Sequence, residues 1–202
     1  MTINSAVPFT PEQEKRSALF VRFIDILFAI VTGQSFVFLA SNAGVSSWIA
    51  NPSQNVVTFG DAILAYSLMV TSWIGYHAST TKLPMKNVGR FIIDIILLFF
   101  YYLAFVNVKS FGSTSIIIFA VFFLYFAWSS IRLYEYYDAR ATFGLVKRTA
   151  QAGTFAGAFF VIALIAYVYP DATIEGVLLF SSFALLIYYR KLYWGGPKNK
   201  QT

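Results

Sequence analysis

Seven ionisable side chains lie inside stretches that otherwise read as hydrocarbon: Arg22 and Asp25, His77, Arg90 and Asp94, and Arg132 and Glu135. Guanidinium groups donate, carboxylates accept, and imidazole titrates near neutrality, so this set has the chemistry to hold or relay charge. Arg22 and Asp25 are spaced i,i+3, and Arg90 and Asp94 i,i+4, so each pair shares a helix face. A charge at the centre of a spanning helix costs about 2.5–3.5 kcal/mol on insertion scales. Arginine relieves that cost by reaching to the headgroups, whereas aspartate is too short. Asp25 and Asp94 are therefore expected to face a partner, a wet cavity or the interior of a bundle. Arg22, Arg90 and Arg132 could serve as interfacial anchors, with the acids only neutralising them. Taken together, the layer reads better as a functional or gating network. His77 is the sole histidine, which excludes a multi-histidine metal site. It is expected as a hydrogen-bonded network member, with pH sensing as the alternative.

The elements that must position these groups follow from composition. The chain has 202 residues, 58% hydrophobic, 19% aromatic and 12% charged, with mean hydropathy +0.65. Soluble domains carry about 25% charged residues, so the sequence predicts an all-α integral membrane protein. Six segments are long and apolar enough to cross a bilayer, at about 18–41, 58–79, 88–107, 113–136, 152–169 and 174–193. They divide the chain into an N-terminal segment 1–17, a six-helix transmembrane domain 18–193 and a tail 194–202. The first 17 residues lack the apolar core and small-residue site of a cleavable signal, so the first helix is expected to act as its own targeting signal.

Of the 15 lysines and arginines, only Lys109 falls in the loops after the first, third and fifth segments. That asymmetry predicts cytoplasmic N and C termini in the cell membrane. It also argues against nucleic acid as a partner, because the basic residues lie at one membrane face rather than in one patch. The same topology brings all seven buried charges to one cytoplasmic-side level. Cysteine is absent, so disulfides and thiolate metal sites are excluded.

Local signals refine this outline. Thr10, Pro11 and Gln13 suit an N-cap, a first-position proline and a capping box, so helix 1 is expected to begin near residue 11. Thr32, Gly33, Gln34 and Ser35 form a polar patch near the middle of helix 1. Gln34 needs an interhelical partner or water there. The alternative is that helix 1 lines an aqueous path, with Leu27 or Ile30 as a hydrophobic constriction and Thr32 and Gln34 beside it. Asp61 is expected to cap helix 2 at the outer side, with an external cation-attracting ring as the sharper reading. Tyr101 and Tyr102, Tyr134 and Tyr136, and Tyr188 and Tyr189 read as interfacial aromatic belts. The small residues Ala152, Gly153, Ala156, Gly157 and Ala158 offer a face for close helix approach.

The run from Arg22 to Ile30 resembles the signature of the prokaryotic and lysosomal potassium channels built from six-helix units. Phe23, Asp25, Phe28, Ala29 and Ile30 match their first helix, and Trp73 followed by His77 resembles their second. Ile24 stands where that family has serine, Ile26 where it has glycine, and Leu19 where its arginine usually stands. The resemblance implies a tetramer with helix 1 lining a central pore. Ile30 would then be a constricting position, and Arg22, Asp25 and His77 a polar network behind the pore helix.

No phosphate-cradling loop, nucleophile elbow or metalloprotease motif occurs, and no enzyme or cofactor is expected. The expected function is an oligomeric channel passing a monovalent cation such as potassium, embedded in the lipid bilayer. A non-conducting anchor or sensor subunit is the alternative, with a partner protein at the loop spanning 137–151. A small-solute transporter comes third, since no convincing inverted repeat is present.

Overall fold

In a computed structural model the chain is all-helical, and residues 10–41, 56–80, 87–108, 110–136 and 142–194 are described. The helices are α1 (Pro11–Ser41), α2 (Val56–Thr80), α3 (Val88–Val106), α4 (Phe111–Glu135), α5 (Thr142–Val168) and α6 (Ala172–Trp194). All six contain a stretch long and apolar enough to cross a membrane.

Helix starts follow short-range chemistry. Thr10 and Gln13 form the reciprocal box, the Gln13 N–H donating to Thr10 Oγ1 at 3.3 Å and the Thr10 N–H to Gln13 Oε1 at 3.1 Å. Asn87 Oδ1 accepts the Gly89 N–H at 2.7 Å to open α3. Asp171 Oδ1 accepts from the Thr173 and Ile174 N–H groups at 2.9 and 3.2 Å to open α6. α5 begins ten residues before the apolar stretch expected at 152. Residues 142–151, expected as loop, are helical because nothing between Leu145 and Gln151 breaks a helix. Leu145 is buried there, and Thr149 Oγ1 donates to the Ser129 carbonyl at 3.2 Å. The rest of the expected partner loop, residues 137–141, lies outside the described residues.

α4 and α5 form the broadest interface; α3 packs on α4 and on α1, and α6 returns to α2. Phe122 of α4 stacks on Phe159 of α5 with centroids 4.3 Å apart, and both are fully buried. Part of the small-residue face of α5 serves this contact: Ala152 and Ala156 are buried and a Cβ at Gly153 would lie 3.2 Å from the Phe126 ring, whereas Gly157 is exposed with nothing within 4 Å. In lipid such interdigitation, rather than escape from water, holds helices together.

α1 is the outlier. It lies along α3 and meets α2 at longer backbone distance through large side chains, burying Ser17, Ile24 and Ser35. Phe20 stacks on Phe91 of α3 at 4.3 Å, and Phe28 on Trp73 of α2 at 5.4 Å.

Candidate functional site

The middle of α1 and the early turns of α3 meet the late turns of α2, α4 and α6, so the candidate charges gather toward one end of the bundle formed by α2 to α6. Three polar assemblies occupy that end.

The first joins α1 to α2. Asp25 Oδ1 lies 2.8 Å from His77 Nε2 and accepts the Trp73 indole N–H at 3.3 Å. Trp73 and His77 are one helical turn apart, and that spacing lets both reach one carboxylate. Arg22 is exposed and forms no ion pair with Asp25, although the sequence spacing allowed one.

The second joins α3 to α4. Arg90 Nη1 donates to Glu135 Oε2 at 2.7 Å, with both side chains enclosed. Glu135 Oε1 accepts the Asn87 N–H at 2.7 Å, which sets a carboxylate at the positive end of α3. The Arg90 guanidinium lies 4.4 Å over the Trp128 ring, and that of Arg132 lies 5.5 Å from the same ring. Tyr136 closes the cluster just past α4; burial pushes its phenol up to about 12, opposed by Arg90. The pairing of Arg90 with Asp94 suggested by their spacing is not a direct ion pair: Arg90 turns to Glu135, and Asp94 Oδ2 has no hydrogen-bond partner. Asp94 instead lies in the field of Arg90 with Trp128 beside it.

The third assembly was not foreseen as a site. Arg190 of α6, counted in sequence as one of the basic residues of the chain's end, is only 7% exposed. Its Nη2 donates to Ser72 Oγ at 2.7 Å and to Tyr125 Oη at 3.5 Å. Tyr125 also meets Ser72 and, at 2.7 Å, the Tyr101 hydroxyl. Ser72 donates to the Leu68 carbonyl at 2.6 Å. These groups line a cavity of about 80 Å³ among α1, α2, α3, α4 and α6, with Asp94 also in its wall. Tyr101 and Tyr189, expected in an aromatic belt, are buried inside the bundle, while Tyr102 and Tyr188 face outward. The missed signal was Arg190 itself, a guanidinium within the last apolar stretch.

The helix 1 candidates divide. Ile30 is 54% exposed, and Gln34 is exposed and makes no hydrogen bond among the described residues. Leu27 packs against the core, and Thr32 faces Met69 of α2, its hydroxyl 3.9 Å from the sulfur. Ile30 and Thr32 point about 200° apart, as the helical repeat demands. Thr32 therefore lies opposite the outward face of Ile30 and Gln34, whereas Leu27, seven residues before Gln34, lies along the edge of that face with its side chain packed against the core.

Asp61 does not cap α2. The helix starts earlier, at Val56, and Asp61 is fully buried within it, facing Thr114 of α4 with Glu175 of α6 nearby. An external ring is therefore not formed by this side chain in the single chain. Among the described residues no group of three His, Asp or Glu side chains is placed to hold a metal ion. Comparison with known proteins found no match among family models, curated proteins or solved structures.

Proposed function

We propose that the chain is one subunit of an oligomeric membrane channel for cations, with α1 facing the axis shared by the copies. One observation carries this reading: the outward stripe of α1. Leu19, Phe23, Ile26, Ile30, Gly33, Gln34 and Val37 are all exposed and recur every three or four residues. Most of that stripe would suit lipid, but Gln34 would not. A primary amide turned to hydrocarbon loses its hydrogen bonds, whereas one turned to a shared axis meets water or its own copies. Ile30, one turn below, then forms an apolar constriction of the kind that closes by dewetting.

The Asp25–His77–Trp73 contact supports the same reading from behind. It ties the middle of α1 to α2 and leaves an ionisable pair about one-third exposed beside the path. Potassium as the ion and four as the number of copies are what the resemblance implies. The test is cation flux from purified protein in liposomes, comparing wild type with Ile30→Asn and Asp25→Ala. Flux altered by either substitution supports the reading. Correctly inserted protein that passes no cations in any variant would replace it with a non-conducting subunit of a larger complex.

A further inference from the structure

We infer that the cavity beside Arg190 is a binding site for a small organic anion, a short-chain monocarboxylate, held by the Arg190 guanidinium. The site lies inside each chain and does not depend on conduction along α1.

The argument begins with charge. Arg90 is answered by Glu135. Arg132 and Asp94 are buried in that neighbourhood too, and the cation acting on Asp94 is Arg90. Arg190 is then left over: among the described residues it forms no ion pair, and its polar partners are the neutral oxygens of Ser72 and Tyr125. A buried guanidinium without a counter-ion is strongly disfavoured. Its Nε is buried and has no acceptor.

The hydroxyls beside it are neutral and cannot supply the missing charge. Ser72 gives its hydrogen to the Leu68 carbonyl. Tyr125 must then donate to Ser72, and Tyr101 to Tyr125, so all three hydroxyl hydrogens are used within the chain. What remains unpartnered on the wall is three donors, Arg190 Nε, the buried Tyr76 hydroxyl and Trp128 Nε1, against one acceptor, Asp94 Oδ2. A carboxylate oxygen satisfies any of these donors. Asp94 shares the wall, but the cation acting on it is Arg90 rather than Arg190, so it does not serve as the Arg190 counter-ion.

The remaining wall selects the body of the ligand. Ile24, Phe28, Leu97 and Leu98 make it largely apolar. A bare halide would leave that surface unfilled. The volume of about 80 Å³ is roughly half that of an apolar cavity that holds benzene, so about two to four carbons fit beside the carboxylate.

Trp73 and Trp128 stand in the cavity wall, so their emission reports occupancy. Purified protein in detergent is titrated with sodium propionate and, separately, with sodium chloride and tetramethylammonium sulfate at constant ionic strength. Propionate is expected to give a saturable change, at least tenfold weaker in Arg190→Gln and partly restored in Arg190→Lys. Arg22→Gln, on the exposed face of α1, should match wild type. Leu97→Phe fills the cavity while keeping Arg190 and should also abolish binding; equilibrium dialysis of labelled propionate gives the same readout without fluorescence. The inference is overturned by a flat propionate titration of folded wild type, by chloride or tetramethylammonium binding as tightly as propionate, or by undiminished binding in Leu97→Phe. Because binding is read in detergent, its failure is separable from a failure of cation flux.

Discussion

The Asp25 carboxylate and the His77 imidazole meet at 2.8 Å across α1 and α2, although 52 residues separate them in sequence. This contact and the stacking of Phe28 on Trp73 link two helices that meet at longer backbone distance through large side chains.

Asp25→Asn should disturb function more than folding. The pair is about one-third exposed on each side, and such ion pairs contribute about 0–1 kcal/mol. Thermal unfolding in detergent should shift by only a few degrees, while cation flux changes severalfold. A large loss of folded protein with unchanged flux would assign the pair to scaffolding.

The enclosed pair behaves differently. Removing one partner of a buried ion pair costs about 3–5 kcal/mol because the other charge is stranded. Glu135→Gln strands Arg90 and also weakens the acceptor for the Asn87 N–H. The variant should lose most of its folded fraction by size-exclusion chromatography. The double variant Arg90→Met, Glu135→Leu should recover much of it; recovery no better than in the single variant would mean the pair sets geometry that apolar side chains cannot replace.

Because the chain has no cysteine, single cysteines report packing between copies without a background. Ile30→Cys should form oxidised dimers in membranes, and Thr32→Cys, turned toward Met69, should not. Equal cross-linking at both positions would remove α1 from the shared axis.

The aromatic interface between α4 and α5 should dominate stability. Phe122→Ala leaves a gap against Phe159, Phe155 and Tyr189, and truncating a buried Phe typically costs about 3–5 kcal/mol. A drop in unfolding temperature well beyond that of Asp25→Asn is expected. A drop no larger would show that the ring stack is replaceable by neighbouring side chains.

Much of this arrangement was legible in the residues. Apolar runs gave six helices, and the capping residues at Thr10 and Gln13 placed the start of α1. The common depth of Arg90, Glu135, Asp25 and His77 followed from counting turns along alternating helices. Partner choice was less legible. The i,i+4 spacing made Asp94 a natural mate for Arg90, yet spacing cannot rank a helix neighbour against a carboxylate brought to the same depth by another helix. Glu135 wins because it also closes the orphan N–H at Asn87. The tyrosines were misread for a related reason. Depth places Tyr101 and Tyr189 near helix ends, but whether a ring turns to lipid or to the interior depends on which helices neighbour it. α5 began early because amphipathic turns such as those from Leu145 to Gln151 carry too little hydrocarbon to read as membrane and no residue that stops a helix.

The position of Arg190 has a consequence for how the protein is made. α6 follows the other five helices in sequence, yet its arginine fastens Ser72 of α2 and Tyr125 of α4. Until that residue is synthesised, the hydroxyl chain lacks its cation and the five earlier helices enclose an incompletely braced interior. Docking of α6 therefore closes the interior, since the Ser72 and Tyr125 hydroxyls reach their cation only when this helix packs against α2 and α4.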